Sequence, residues 1–249
     1  MSFDAFIKRF TADWQQFLMM GVGPLIVNIG VVIAGLFLGL IIMGPSLLSL
    51  ISAGAGGMEP SAGALAGLVG SAFGLVILMV ILGVVAYGLT NAGLLGVVDG
   101  YRRGEEVTLG GFWSSATRHF GKVILLNLVF GLIMLLSAVM MIIPVLGWIA
   151  LVIWVPTASV ALAIYPAYLI VTQEYSVGDA ISFGFRLLTT QFKEAVIGGV
   201  ILLAFGIALG AINFIPFIGF LVGLLFGQPI IYYFFVERFE TEVRPKMGI

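Results

Sequence analysis

Few residues in this chain have side chains that do chemistry. There is one histidine, His119, and no cysteine. Without cysteine there are no disulfides, thiolate metal sites, iron–sulfur clusters or sulfur nucleophiles. His119 stands between Arg118 and Lys122. A lone imidazole cannot build a multi-histidine metal centre, and its expected place is a polar surface near lipid headgroups. Acidic residues cluster as Asp99 with Glu105 and Glu106, Glu174 with Asp179, and Glu237 with Glu240 and Glu242. Paired carboxylates can hold a divalent cation, but arginines interleave here, and solvated ends with local ion pairs are expected. Gly121-Lys122 lacks the upstream Gly and following Ser or Thr of a phosphate loop. No dinucleotide fingerprint and no G-x-S-x-G elbow occur. No catalytic, metal-ligating or cofactor-binding residue is therefore assigned; the expectation is a non-enzyme without a cofactor.

What remains is basic or mildly polar. Lys8, Arg9, Arg118, Lys122, Arg186 and Lys193 lie where helices are expected to meet a membrane surface. Each basic residue there can hold anionic headgroups with about 1 kcal/mol. Asn91, Asn127, Asn213 and Gln228 fall within apolar stretches. They suit either interhelical hydrogen bonds or the wall of a polar cavity.

The elements that must position these residues are membrane spans. Of 249 residues 61% are apolar and 9% charged, the formal net charge is -1, and mean hydropathy is +1.20. A soluble domain carries about 25% charged residues. The balance excludes a soluble enzyme, a disordered tail, a coiled coil and a disulfide-stapled module, and gives no field for nucleic acid. The first twenty residues show no small-residue cleavage site, so internal segments are expected to direct insertion. Three stretches, Leu18 to Val98, Val123 to Gln173 and Ala195 to Val236, contain Glu59 as their only ionisable residue. A span needs about 20 apolar residues. The expected fold is all-α: six transmembrane helices in three hairpins, the first with an irregular loop over Gly44–Gly63. All 11 Lys and Arg fall on one side of this arrangement, which the positive-inside rule makes cytoplasmic, both termini included. No large external domain is expected.

The hairpins are related. Ile142-Ile143-Pro144-Val145-Leu146-Gly147-Trp148 returns as Phe214-Ile215-Pro216-Phe217-Ile218-Gly219-Phe220, at an offset of 72. Pro166 to Glu174 aligns with Pro229 to Glu237 at an offset of 63. A single transmembrane domain, 1–249, then holds repeat units of about 1–104, 105–175 and 176–242, with a cytoplasmic tail over 243–249. Pro166, Pro229, Pro24 and Pro156 are expected to kink their helices. Small-residue faces recur, as in Gly35-x3-Gly39, Gly63-x3-Gly67, Gly70-x3-Gly74, Gly206-x3-Gly210 and Gly219-x3-Gly223-x3-Gly227. They suit close helix packing within the chain, self-association or another membrane protein.

Each unit is expected to open with an amphipathic helix in the membrane interface. The first carries Phe3, Phe6, Ile7, Phe10, Trp14 and Phe17 on one face. The second, about Thr108 to Lys122, carries Phe112, Trp113, Ala116 and Phe120. The third starts at a Ser176-x-x-Asp179 capping box and continues through Val177, Ala180, Ile181, Phe185, Leu188 and Phe192. Apolar residues opposite Lys and Arg describe interfacial helices.

The stretch YPAYLIVTQEYSVGDAISFGFRLLTTQFKEAV, Tyr165 to Val196, orders its elements recognisably. A span exits with Pro and Glu; Ser-x-x-Asp-Ala and an amphipathic helix ending in Phe-Lys follow. It resembles prokaryotic six-helix membrane proteins related to the membrane domain of glycerophosphoryl diester phosphodiesterases. The resemblance implies a fold and a prokaryotic cytoplasmic membrane; it carries over no active-site residue. No ionisable residue falls at mid-membrane depth, where coupling sites of pumps and proton-driven transporters lie. The expected function is a non-catalytic scaffold, assembly factor or partner subunit touching anionic lipid. The alternative is a permease or lipid translocator working through a groove between repeats.

Overall fold

The computed structural model describes residues 3–56, 61–139, 145–215 and 218–249. Among them the chain is all-helical, without a strand. Helices run in order α1 (Phe3–Ala12), α2 (Trp14–Ala55), α3 (Ala62–Arg102), α4 (Leu109–Ser137), α5 (Leu146–Ser159), α6 (Tyr165–Gln173), α7 (Val177–Thr190), α8 (Phe192–Ile212), α9 (Ile218–Val222), α10 (Gln228–Arg238) and α11 (Arg244–Met247). Six helical stretches are long and apolar enough to cross a membrane: Trp14–Ala55, Ala62–Arg102, Leu109–Ser137, Leu151–Gln173, Phe192–Ile212 and Ile218–Met247. An all-helical spanning fold follows from the solvent, because hydrocarbon offers backbone groups no partner and the helix pairs them internally.

The chain divides into two compact units: Met1–Leu25 with Gly88–Ile249, and Ile26–Tyr87. The smaller unit holds the remainder of α2 and α3. Its outer surface is apolar, with Phe37, Leu40, Val69 and Phe73 exposed. Most of the range expected as an irregular loop, Gly44–Gly63, is helical: α2 continues through Pro45 to Ala55, and α3 begins at Ala62, while residues 57–60 lie outside the described ones. The Ser49 and Ser52 hydroxyls donate to the Ser46 and Ser49 carbonyls. Low helix propensity gives way where the surroundings reward closed backbone hydrogen bonds. Glu59 and the turn residues Ile142, Ile143, Pro144, Pro216 and Phe217 lie outside the described residues.

In the larger unit the expected proline kinks take a specific form. Three π-helical segments, Val160–Ile164, Gly223–Gly227 and Phe239–Val243, each end two residues before a proline: Pro166, Pro229 and Pro245. Proline has no N–H, and its ring crowds the carbonyl four residues back. Widening the preceding turn accommodates both, so Tyr165, Gln228 and Arg244 donate to carbonyls five residues back. The first two segments stand 63 residues apart, the offset already seen between Pro166 and Pro229. Pro156 lies within the α-helical α5 without such a segment.

The three amphipathic segments differ. The first is a separate helix, α1, ending before Asp13. Phe10 and Phe17 pack edge-to-face at 5.2 Å, and Phe17 is fully buried. The second is the opening of the unbroken α4. The third is α7, whose Ser176 hydroxyl accepts from the Asp179 N–H, as the capping sequence predicts. It buries Ala180, Phe183, Gly184 and Leu187 and leaves Phe185 exposed. The apolar stripe of α7 is thus turned toward protein, with Phe185 left outside it.

Close approach relies mostly on glycines outside the small-residue repeats. A Cβ at Gly21 would collide with the Leu225 backbone, at Gly93 with the Phe112 ring, and at Gly184 with the Ala161 carbonyl. Gly206 and Gly210 meet nothing within 4 Å.

Candidate functional site

The functional side chains of the larger unit gather where α3, α6 and α10 end. Each of these helices delivers its last turns with Tyr, Asp, Glu or Arg after a long apolar run, and the charges pair across helices. Tyr168 on α6 is fully buried; its hydroxyl donates to Asp99 Oδ1 of α3 at 2.8 Å and lies 2.9 Å from Glu240 Oε1. Asp99 binds Arg103 at 2.8 Å, and Glu240 binds Arg244 at 2.9 Å. Asp99 is only 3% exposed, which corrects the expectation of a solvated cluster for this residue, while Glu105 and Glu106 are exposed as expected. The local ion pairs expected for it are present.

A second network centres on Arg238, also 3% exposed. Its guanidinium donates to Glu194 Oε2 at 2.8 Å, to Tyr165 at 3.1 Å and to Glu242 at 3.2 Å. Lys246 reaches the other Glu194 oxygen at 2.6 Å. Buried charges survive only when paired in this way. Aromatic rings pack against both networks: Phe239 contacts Tyr165, Tyr168 and Phe183 at 5.1, 5.3 and 5.7 Å between centroids.

The third network corrects the placement of His119. It is not at the surface: it is 5% exposed, one ring nitrogen 3.1 Å from the Ser115 carbonyl and the other 3.3 Å from Glu174. The stripe that buries Phe112, Ala116, Val123 and Leu126 passes through it, because a helix that packs on both α3 and α6 buries more than one narrow face. Glu174 closes α6 in the left-handed conformation, φ 55, a place that usually takes Gly or Asn. Arg118 at 2.7 Å and Lys122 at 3.4 Å also bind it. The His119 hydrogen bond, with Lys122 and Arg118, holds the Glu174 carboxyl below its usual range.

The six basic residues expected at headgroups therefore separate. Arg118 and Lys122 turn to Glu174. Arg9 lies over the Tyr101 and Tyr233 rings at 5.0 and 5.6 Å and donates to the Tyr101 hydroxyl, which donates to Asp13 at 2.6 Å. Lys8, Arg186 and Lys193 are exposed, with no ion pair among the described residues. The four expected cavity residues separate too. Asn91 is buried and accepts from Tyr232, and Asn213 is exposed. Asn127 Nδ2, Gln228 Oε1 and the neighbouring Thr90 Oγ1 are buried atoms without a hydrogen-bond partner among the described residues.

Sequence reasoning missed the pairing of Asp99 with Tyr168 and that of Arg238 with Glu194 and Tyr165. The available signal was Tyr and Arg recurring beside the acidic exits, at Tyr101, Tyr165, Tyr168 and Arg238. A cavity of about 460 Å³ opens between the ends of α3, α4 and α6, with Asp99, Arg103, Glu105, Glu106, Arg118, His119 and Glu174 on its wall. Among the described residues no group of three or more His, Asp or Glu is placed to hold a metal ion. No family model, no curated protein and no solved structure matches the chain.

Proposed function

We propose that this chain is a non-catalytic, multi-pass protein of a prokaryotic cytoplasmic membrane, acting as a scaffold, assembly factor or partner subunit. In this reading both termini are cytoplasmic, the three hairpins are repeats of one unit, and the chain belongs with the six-helix proteins that Tyr165 to Val196 resembles. One observation carries it. The buried acids and bases of the larger unit are committed to fixed pairs, as in Arg238 with Glu194 and Asp99 with Arg103. The exposed cations Lys8, Arg186 and Lys193 are left facing outward, with Trp14, Phe185 and Phe192 exposed in the same segments. Cations beside exposed aromatics suit a helix end resting on anionic lipid or on a membrane partner.

The test is purification of the full chain in mild detergent, with mass spectrometry of the lipid and protein it retains. Beside it runs the triple variant Lys8→Glu, Arg186→Glu, Lys193→Glu. Anionic lipid or a stoichiometric protein should stay with the parent and be largely lost from the variant. Equal retention by both would overturn the reading.

A second reading, a permease or lipid translocator, has its own support. Asn127, Gln228 and Thr90 bury polar atoms without partners among the described residues. Such atoms are costly in hydrocarbon, and a hydrated path would satisfy them. Flux of a labelled lipid or polar dye in proteoliposomes should then fall in Asn127→Leu and Gln228→Leu. Absence of flux above protein-free vesicles would remove this reading.

A further inference from the structure

We propose that the cavity between the ends of α3, α4 and α6 binds a zwitterionic head of phosphoethanolamine chemistry, a phosphate joined to a primary ammonium. Its volume of about 460 Å³ lies in the usual range of ligand sites, about 300–1,000 Å³. Two glycines of α3 let the wall draw in closely. A Cβ at Gly96 would run into the Ser115 hydroxyl, and one at Gly100 would approach Glu105 Oε2 to 3.0 Å.

The wall carries both signs of charge, unevenly. Asp99, Glu105, Glu106 and Glu174 face two guanidinium groups, Arg103 and Arg118. Arg102 and Lys122, outside the wall, also pair Asp99 and Glu174, so the carboxylate left over is that of Glu106, which disfavours a purely anionic head and asks for a cation. Arg103 is occupied by Asp99 at 2.8 Å and Glu105 at 2.9 Å. Glu106 has no ion pair among the described residues, so its carboxylate, beside Glu105, is where an ammonium gains most.

The anionic end has a place as well. Arg118 gives one nitrogen to Glu174 at 2.7 Å and is 69% exposed, leaving guanidinium donors for a phosphate. The first turn of α4, capped by Thr108 on the Gly111 N–H, also borders the cavity and adds the positive end of its helix dipole. The lining contains no Trp, Tyr or Phe, so there is no aromatic cage for a quaternary ammonium. Carboxylates that accept N–H bonds select a primary ammonium over choline, whose methyl groups donate none.

Lys8, Arg186 and Lys193 take no part in this site, so its test is separate from the one above. The full chain is placed in phosphatidylcholine nanodiscs. Phosphatidylethanolamine or phosphatidylglycerol is titrated in, with retained lipid read by native mass spectrometry. Soluble phosphoethanolamine is titrated by calorimetry into the same discs. The retention that is lost in Glu106→Gln should be about tenfold greater for phosphatidylethanolamine than for either other lipid. Glu106→Gln and Arg118→Gln should each weaken it about tenfold, while Thr189→Ala, an exposed position outside both sites, changes nothing. Binding of the soluble compound with the same dependence on Glu106 supports the site and makes the ligand water-borne; binding of the lipid alone supports it and makes the ligand a headgroup. Glu106-dependent retention of phosphatidylglycerol or phosphatidylcholine equal to that of phosphatidylethanolamine would overturn the proposal. So would full binding by a Glu106→Gln variant with an unchanged melting temperature.

Discussion

Replacing Arg238 by methionine would leave the buried Glu194 carboxylate with Lys246 as its ion-pair partner among the described residues. Removing one partner of a buried pair costs far more than the pair is worth, because the other charge stays desolvated. Arg238→Met should destabilise the fold by about 3 kcal/mol, read as a lower melting temperature in detergent. Adding Glu194→Gln should restore much of the loss; a single variant as stable as the parent would contradict the network. Glu174 supplies a pH dependence. Its folded-state value lies below that of an unfolded glutamate, chiefly through His119. Its contribution is therefore complete above the unfolded value of about 4.3 and is lost as pH falls through the lowered one. Glu174→Gln should flatten that acid limb of the melting curve, and an unaltered limb would remove Glu174 as its source. These networks were hidden in the sequence for a simple reason. Tyr168 meets residues 69 and 72 positions away, and no local spacing reports such a contact. His119 was misplaced because Arg118 and Lys122 suggested a solvated face, whereas the ring turns toward α6.

The spans were the most legible elements, since runs free of charge and longer than about 20 residues have few alternatives in a bilayer. The Ser176 cap was legible too, because an N-cap hydroxyl acts within three residues. The course of Gly44–Gly63 was not. Gly, Ser and Pro signal a break in water, but within an apolar hairpin Ser49 and Ser52 bond back into their own helix. Helix contact was only half legible. The small-residue spacings stand out in the sequence, yet the tightest approaches fall at Gly21, Gly93, Gly96 and Gly184. Gly184→Val should disrupt the seating of α7 on the Ala161 carbonyl and lower the melting temperature by several degrees, on the order of 2 kcal/mol. Gly206→Val and Gly210→Val point into open space and should change monomer stability by less than about 1 kcal/mol. A shift of oligomeric state in either of the latter, read by light scattering, would identify that face as a contact between copies.

For the whole molecule, the account turns on where the ionic groups lie. With six apolar stretches and all 11 Lys and Arg before, between or after the proposed hairpins, the proposal is an even number of crossings with the basic residues on one side. The absence of native cysteine makes this directly measurable. Single cysteines at Lys8, Glu106, Ser176 and Lys246, and at Glu59 and Phe214 on the hairpin tips, can be probed in intact cells with a membrane-impermeant maleimide. The account predicts labelling at Glu59 and Phe214 alone, with the other four reacting only after the membrane is opened. Labelling of Lys8, Glu106, Ser176 or Lys246 from outside, or protection of a tip cysteine that reacts once the membrane is opened, would contradict it.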